Sequence, residues 1–568
     1  VKKLRIVCIQ LLLLGLVPLG IAGSASAGTA HPATTRATAV QLGPAPLLRG
    51  YLRKHIDHPR KLSQGARAWL LGAQLPDGEF GRLAPTPSFG SNVDANDPTQ
   101  DLLGGQSETA IAAAGAGRVM TAWNDATFFL STTSTDLTSS GTGVGYSNDG
   151  GATFTDLTGI PNDNPNQQWS GDPTVVAIDD HHFIVGSLYY PGVGGSCREG
   201  PAYATVAVSV ATVEPGGATV TFGDPVIAGT TLNLCRRRTR RPQSALDKDF
   251  LAYDPTSRTL AISYTRFMFG NRTSGLGQIE VRRATVPADP ATLSETDFTR
   301  AVVVWGEESY CSDSSEATGC GSLNEGAYPA VAPNGDVYVA WERNILSNVF
   351  FGLDPRVYIH AAYVPAGAEI PATGGRGDPI IITRGQANAT PSGGVKGMDN
   401  VFIAGYSRGF GQDFPRIAYN AVDDEVVVVW NDASAHPLGD IWLRVASTGL
   451  GTLSPIRQVN DDTSYALHFL PAVSIGSDGS IRTSWYDRRL NGADSTQTDY
   501  FGEIRAAPAT NAADFRITTG STDWAGTSTV IDPNFGDYTD NATTGTTTYY
   551  TWSDGRVGVP QPFVDASP

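Results

Sequence analysis

Residues 325–344 read EGAYPAVAPNGDVYVAWERN. Apolar and small or polar residues alternate on both sides of Asn334-Gly335, the pattern of two antiparallel strands joined by a tight turn. Six other stretches take the same form. They are SETAIAAAGAGRVMTAWND from Ser107, GDPTVVAIDDHHFIVGSLYY from Gly171 and DKDFLAYDPTSRTLAISYTRF from Asp247, then QDFPRIAYNAVDDEVVVVWND from Gln412, HFLPAVSIGSDGSIRTSWYDRR from His468 and FGDYTDNATTGTTTYYTWSDGR from Phe535. Between them lie further strand-like runs such as ATVAVSV, QIEVRRATV, RVYIHAAYV, DIWLRVAS and YFGEIRAA. An inner hairpin plus two outer strands makes a four-stranded blade, and blades repeated about an axis make a β-propeller. Seven hairpins predict an all-β protein of seven blades, with a six-bladed ring as the alternative. A β-sandwich would not explain a recurrent two-strand phrase. After Trp552 too little chain remains for a full outer pair, so a segment before Ser107 is expected to supply strand to the last blade.

The chain has 568 residues, 17% charged and 40% hydrophobic, with 64 Gly and 36 Pro, a composition suited to many short strands and turns. Its start, VKKLRIVCIQLLLLGLVPLGIAGSASA, has a basic end, an apolar run and small residues at Ala25 and Ala27. It reads as a secretory signal over residues 1–27, giving a secreted protein, extracellular or periplasmic. Residues 28–103 form an extension with more helical character and the ring-closing strand, and residues 104–568 form the propeller. No later stretch is apolar enough to span a bilayer. Four cysteines follow the signal, and Cys197 with Cys235 and Cys311 with Cys320 are expected as two local disulfides. The formal charge of −16 argues against nucleic-acid binding, and CRRRTRR at 235–241 reads as a solvated loop. A monomer is expected.

In a propeller the start of each first strand and the end of each second strand emerge on one face. Here the starts carry Glu108, Asp172, Asp249, Glu325, Asp413 and Asp537. The ends carry Asp125, Arg266, Arg343, Asp432, Asp487, Arg488, Asp554 and Arg556, with Trp123, Trp341, Trp430, Trp485 and Trp552 just inside. Gathered about one axis, they would line a polar depression, the default place for a site. The competing reading is structural: the acidic residues bond neighbouring blades, and WND, WYDR and WSDGR close turns over packed Trp rings.

SNDGGATF, Ser147–Phe154, resembles the Asp-box of bacterial sialidase-like and BNR-repeat propellers, with Ser147, Asp149, Gly151 and Phe154 at the motif positions. Asp149 can accept bonds from turn amides and Gly151 can take positive φ. The repeated hairpins resemble those of the same group over about residues 104–556. That resemblance implies a secreted glycosidase with a Tyr nucleophile, a Glu partner, an Asp acid/base and three Arg on a substrate carboxylate. Tyr538 in GDYTD, Glu325 in NEG and Asp125 stand at matching places. Arg266, Arg343, Arg488, Arg489 and Arg556 are candidate anion ligands, with Asp172, Asp249, Asp413, Trp341 and Trp485 as further substrate contacts. A neutral Tyr avoids charge repulsion with an anionic sugar, and a planar Arg fork suits its carboxylate. The sequence departs from the group at its Arg-Ile-Pro motif: QSETAI stands there instead, and the Arg416 of FPRI lies in a later blade.

Two other functions stay open. One is a non-catalytic carbohydrate-binding or adhesion propeller, with Trp rings stacked on sugars. The other is a polysaccharide lyase, for which His436 and His468 are the candidate bases. No cofactor motif is present; a carboxylate ring could hold Ca²⁺, without any EF-hand spacing to support it.

Overall fold

Seven antiparallel sheets follow one another along the chain in a computed structural model, each built on a hairpin with further strands paired outside it. The structure describes residues 92–97, 105–126 and 140–567, except 163–167, 191–204, 218, 231–242, 270–276, 307–321, 346–355, 376–377, 493–494, 509, 528, 530 and 532. The stretch read as a secretory signal, the extension expected before Asn92 and all five cysteines, including Cys197, Cys235, Cys311 and Cys320, lie outside the described residues.

Blade 1 begins with Gln106–Ala113 and Val119–Asp125, and blade 2 with Thr174–Ala177 and His182–Tyr190. Blade 3 begins with Gln243–Asp254 and Thr259–Phe269, and blade 4 with Ser322–Val331 and Val337–Ile345. Blades 5, 6 and 7 begin with Arg416–Asn420, His468–Ile475 and Asp540–Thr544. Each first strand packs beside that of the next blade, and the seventh packs beside the first. This is a closed seven-bladed β-propeller. Among the described residues no helix is long and apolar enough to cross a membrane.

The ring closes through two distant parts of the chain. Blade 7 takes its third strand from Gln561–Ser567 and its fourth from Val93–Asp94. Asn92 Nδ2 donates to Asp565 at 2.7 Å and to the carbonyl of Ile517 at 3.0 Å, and Asn96 Nδ2 donates to Gln561 at 2.7 Å. Ala95 is buried against Trp123, Ile111 and Val564. Deleting residues 92–97 should therefore open an unpaired edge on the last blade and cost roughly 3–6 kcal/mol, at about 1 kcal/mol for each hydrogen bond lost. Chemical denaturation and light scattering check this: a lowered midpoint with aggregation is expected.

The tryptophans that end the second strands belong to the fold. Trp123, Trp341, Trp430, Trp485 and Trp552 are all fully buried. Trp430 Nε1 donates to Asp432 at 2.7 Å, Trp485 Nε1 to Asp487 at 2.8 Å and Trp552 Nε1 to Asp554 at 2.9 Å. In blades 5, 6 and 7 the Trp-x-Asp thus satisfies its own buried indole, whereas in blade 1 Trp123 Nε1 has no hydrogen-bond partner among the described residues. The residue between them ties neighbouring blades together. Asn124 Oδ1 accepts the N–H of Asp172, Asn431 Oδ1 that of Leu470, and Ser553 Oγ donates to the carbonyl of Gln106. In the outer turn of blade 1, Ser147 Oγ donates to Asp149 and accepts from the N–H of Gly151. Asp149 also takes the N–H of Thr153 at 2.9 Å, and Gly151 sits at φ +82°.

Candidate active site

The first strands do not enter the ring as simple pleats. In blades 1, 3, 4 and 6 the pairing register shifts after Ser107, Asp247, Glu325 and Phe469, so an extra residue is squeezed into the start of each strand. The residue at the shift takes a left-handed backbone: Glu108 at φ +55°, Lys248 at +51°, Gly326 at +66° and Leu470 at +53°. Asp172 at +53° holds the equivalent place before the first strand of blade 2, and Gly536 at +79° lies on the approach to the first strand of blade 7. At Gly536 a Cβ would stand 2.4 Å from the Glu108 amide nitrogen, so only glycine fits. A non-glycine residue in this conformation costs about 1–3 kcal/mol. The shift also reverses the pleat, so the residue that faces the axis is one away from where strict alternation puts it.

Three of these strained residues meet. Lys248 Nζ lies 3.2 Å from Glu108 Oε1, 3.2 Å from Asp172 Oδ2 and 3.1 Å from Asp537 Oδ2. Blades 1, 2 and 7 each bring one carboxylate to the ammonium of blade 3. All four side chains are nearly or fully buried. Asp537 Oδ2 also meets Arg408 Nη2 at 2.7 Å, and its other oxygen accepts the Tyr406 hydroxyl at 2.9 Å. Asn124 Nδ2 donates to Glu108 Oε2 at 3.0 Å.

The surroundings push these carboxyls in opposite directions. Burial works to raise Asp172, but Lys248 and hydrogen bonds from the carboxyls of Glu108 and Asp247 hold it well below the usual range. Asp537 is likewise held low against burial, by Arg408 and then Lys248. Burial and the Asp172 charge drive Glu108, Asp247 and Asp249 well above the usual range. Asp249 is fully buried, and neither of its oxygens has a hydrogen-bond partner among the described residues. Burial lifts Glu325 to about 7, opposed by Lys248 and Arg408. The two cations, Lys248 and Arg408, thus favour the ionised forms of Asp172 and Asp537, while burial and the Asp172 charge push Glu108, Asp247 and Asp249 towards their acid forms and burial lifts Glu325 to about 7.

Tyr538 stands directly inside this cluster. Its hydroxyl donates to the carbonyl of Pro173 at 3.1 Å, and its ring meets Phe250 edge-on with centroids 5.1 Å apart. Lys248 and Arg416 lie over its face, at 5.6 and 5.4 Å from the centroid. Burial first, then Glu108, Asp172 and Asp249, raise its phenol well above the ordinary value. The carboxylate that bears most on Tyr538 is thus Glu108, where the sequence pattern pointed to Glu325. Arg416 is caged by Phe250, Tyr328 and Tyr538, and the space between these rings and Asp540 is too small for a water molecule.

Most of the other candidates from the sequence are engaged elsewhere. Asp125 sits opposite Gln106 and accepts its Nε2 at 3.4 Å; strand alternation turns Asn124 to the cluster instead. Arg266 makes a two-pronged pair with Glu280, at 2.6 and 2.8 Å. Arg343 stacks over Trp305 and Tyr358. Arg488, fully buried and pushed down by burial to about 9, donates to Thr498 and to the carbonyls of Ser495 and Ala404. Arg489 is held by Asp461, Asp487 and Asp514, and Arg556 by Asp554. Asp413 caps the amides of Met398 and Asp399. Trp341 stacks on His360 inside blade 4, and Trp485 bonds Asp487, so neither ring is a sugar platform. These arginines and tryptophans are anchored by blade packing, and no triad of arginines forms from them. His468 is fully buried; although burial works against its charge, Asp487 and then Asp462 raise it to about 9, which leaves it protonated and unsuited to act as a base at neutral pH. His436 is bound to Asp440.

Lys248, Asp247, Arg408, Tyr406 and Asn124 are the site residues that strand alternation passed over. The one sequence signal was SALDKDF, a lysine between two aspartates at a first-strand start. Among the described residues no group of His, Cys, Asp and Glu side chains is arranged to hold a metal ion.

No family model matches this chain, and no curated protein matches it in sequence. Among solved structures it is similar to the GH93 α-L-arabinofuranosidase of Fusarium graminearum in complex with arabinobiose (10% identity, 84% of this chain and 97% of that one, TM-score 0.41). It is also similar to a PL25 ulvan lyase (7%, 85% and 95%, TM-score 0.42) and to the sialidase of Trypanosoma rangeli with 2,3-difluorosialic acid (12%, 69% and 53%, TM-score 0.37). At these levels no residue role and no substrate passes from them to this chain.

Proposed function

We propose that this chain is a secreted, carbohydrate-active propeller, a glycoside hydrolase of the sialidase-like class that works at the axial mouth. One observation carries the reading: Lys248 is bound by carboxyl groups from three other blades, and Lys248, Glu108 and Asp172 all take left-handed backbone. Buried ion clusters seldom add net stability, and strained non-glycine backbone costs more. Both expenses fall at one mouth, where perturbed carboxyls mark a functional site.

The chemistry fits glycosidic hydrolysis. A pair of carboxyls pushed apart by their surroundings supplies an acid and an anion. Glu325, held at about 7, can give a proton to the leaving oxygen, and Asp537 is held ionised in the same cluster. The narrower form of the reading, an exo-sialidase, makes Tyr538 the nucleophile and needs cations for the substrate carboxylate. Lys248, Arg408 and Arg416 are the cations in this cluster.

A second reading, glycan binding without turnover, is favoured by the tight closure around Tyr538 and Arg416. Incubating the protein with sialylated, arabinan and uronate-containing glycans separates the two. Reducing-sugar release is expected from at least one. Binding with no product supports the second reading, and an unsaturated product absorbing in the ultraviolet identifies a lyase.

A further inference from the structure

The connection between blades 4 and 5 sends residues 401–411 across to the segment that leads into blade 7. A bridge between Phe402 and Phe410 makes this stretch a narrow strap. Its body is fixed: Val401, Ile403 and Tyr406 are buried with Trp524 and Phe535, and Arg488 holds the carbonyl of Ala404. Ser407 and Asn534 exchange two hydrogen bonds, at 2.9 and 3.0 Å, and Asn534 Nδ2 reaches the carbonyl of Gly405. Tyr406 donates to both Gly536 and Asp537. From this rigid base Arg408, about one-third exposed, places its guanidinium on Asp537 at 2.7 Å.

We propose that Arg408 is a positioning residue for Asp537, so that the strap is a working part of the mouth. Resting on the hydrolase reading, this assigns to a loop between blades the task of orienting the carboxylate and keeping it anionic. Asp537 has two oxygens. Tyr406 fixes one; Arg408 and Lys248 share the other. The remaining charged or titratable groups that face it are Glu108, whose Oε1 accepts the Asp537 N–H at 3.2 Å, and Glu325 from blade 4. Lys248 is divided among three carboxylates, whereas among the described residues Arg408 pairs with Asp537 only. Arg408 is the first of the cations that hold Asp537 low against burial.

The test compares Arg408→Gln and Arg408→Lys with the wild type by chemical denaturation at pH 4 to 8. A carboxyl depressed on folding contributes stability above its unfolded pKa and loses it as the pH falls through the folded value. Arg408→Gln should therefore show its full deficit at pH 7 to 8 and a shrinking one towards pH 4, as Asp537 protonates in the variant. Arg408→Lys should restore most of it. A deficit that does not change with pH, or no rescue by lysine, would mean the strap contact is packing alone and overturn the proposal. On a glycan that the wild type turns over, the acid limb of kcat/KM should move about one pH unit upward in Arg408→Gln, a roughly tenfold loss on that limb; an unmoved limb also overturns it. Absence of any turnover by the wild type counts against the hydrolase reading alone, and the denaturation series still decides the role of Arg408.

Discussion

Glu325→Gln is expected to lower kcat by about 10²–10⁴-fold, the usual contribution of a general acid or base, with the fold intact. Gln copies the shape and neutrality of the protonated carboxyl but cannot pass a proton. Because burial holds Glu325 at about 7, the wild-type rate should show a titration near that pH, and the variant should lack it. The sign of the stability change separates this loss from unfolding. A carboxyl raised on folding is a liability above its unfolded pKa, since the folded state resists losing the proton. Glu325→Gln removes that liability, so its stability should equal or exceed the wild type at pH 8 and converge with it below about pH 5. Activity across pH, read beside denaturation midpoints, checks both halves.

Lys248→Met is expected to cost about 3–5 kcal/mol at pH 7, the penalty for removing one partner from a buried ion pair. Asp172 and Asp537 would keep their burial while Asp172 lost its cation; Asp537 would retain Arg408. The folded variant can relieve this by protonating Asp172, so its deficit should narrow as the pH falls from 7 towards 4. An isosteric pH-independent loss would instead indicate that the ammonium acts only through packing. Denaturant midpoints at several pH values distinguish the two. The same variant should lose turnover, because the anionic state of the cluster is no longer balanced.

Hairpins were legible in this sequence because two local signals agree in each: period-two alternation and a turn of Gly, Asp or Asn. That agreement fixes where Val337–Ile345 and Ile481–Asp487 run and which face their ends share. The site was less legible, for two physical reasons. An inserted residue at a bulge leaves composition unchanged but reverses the side chains around it, so Asp249 was read as facing the mouth where Lys248 does. At the other strand ends, Arg266, Arg489 and Arg556 carry the same residue type whether they serve a ligand or a neighbouring aspartate or glutamate, and their partners Glu280, Asp514 and Asp554 become evident only in three dimensions. The strap was invisible for a third reason. Residues 401–411 have no periodicity, and their position follows from Trp524, Asn534 and Arg488, far along the chain.

Crystals of Glu325→Gln soaked with a glycan that the wild type cleaves test the central claim most directly. The account predicts sugar density at the axial mouth, within hydrogen-bond distance of Asp537 and Arg408, with the Lys248 contacts to Glu108 and Asp172 retained. Sugar bound only at a blade edge or on the opposite face, with no contact to Asp537 or Arg408, would contradict it.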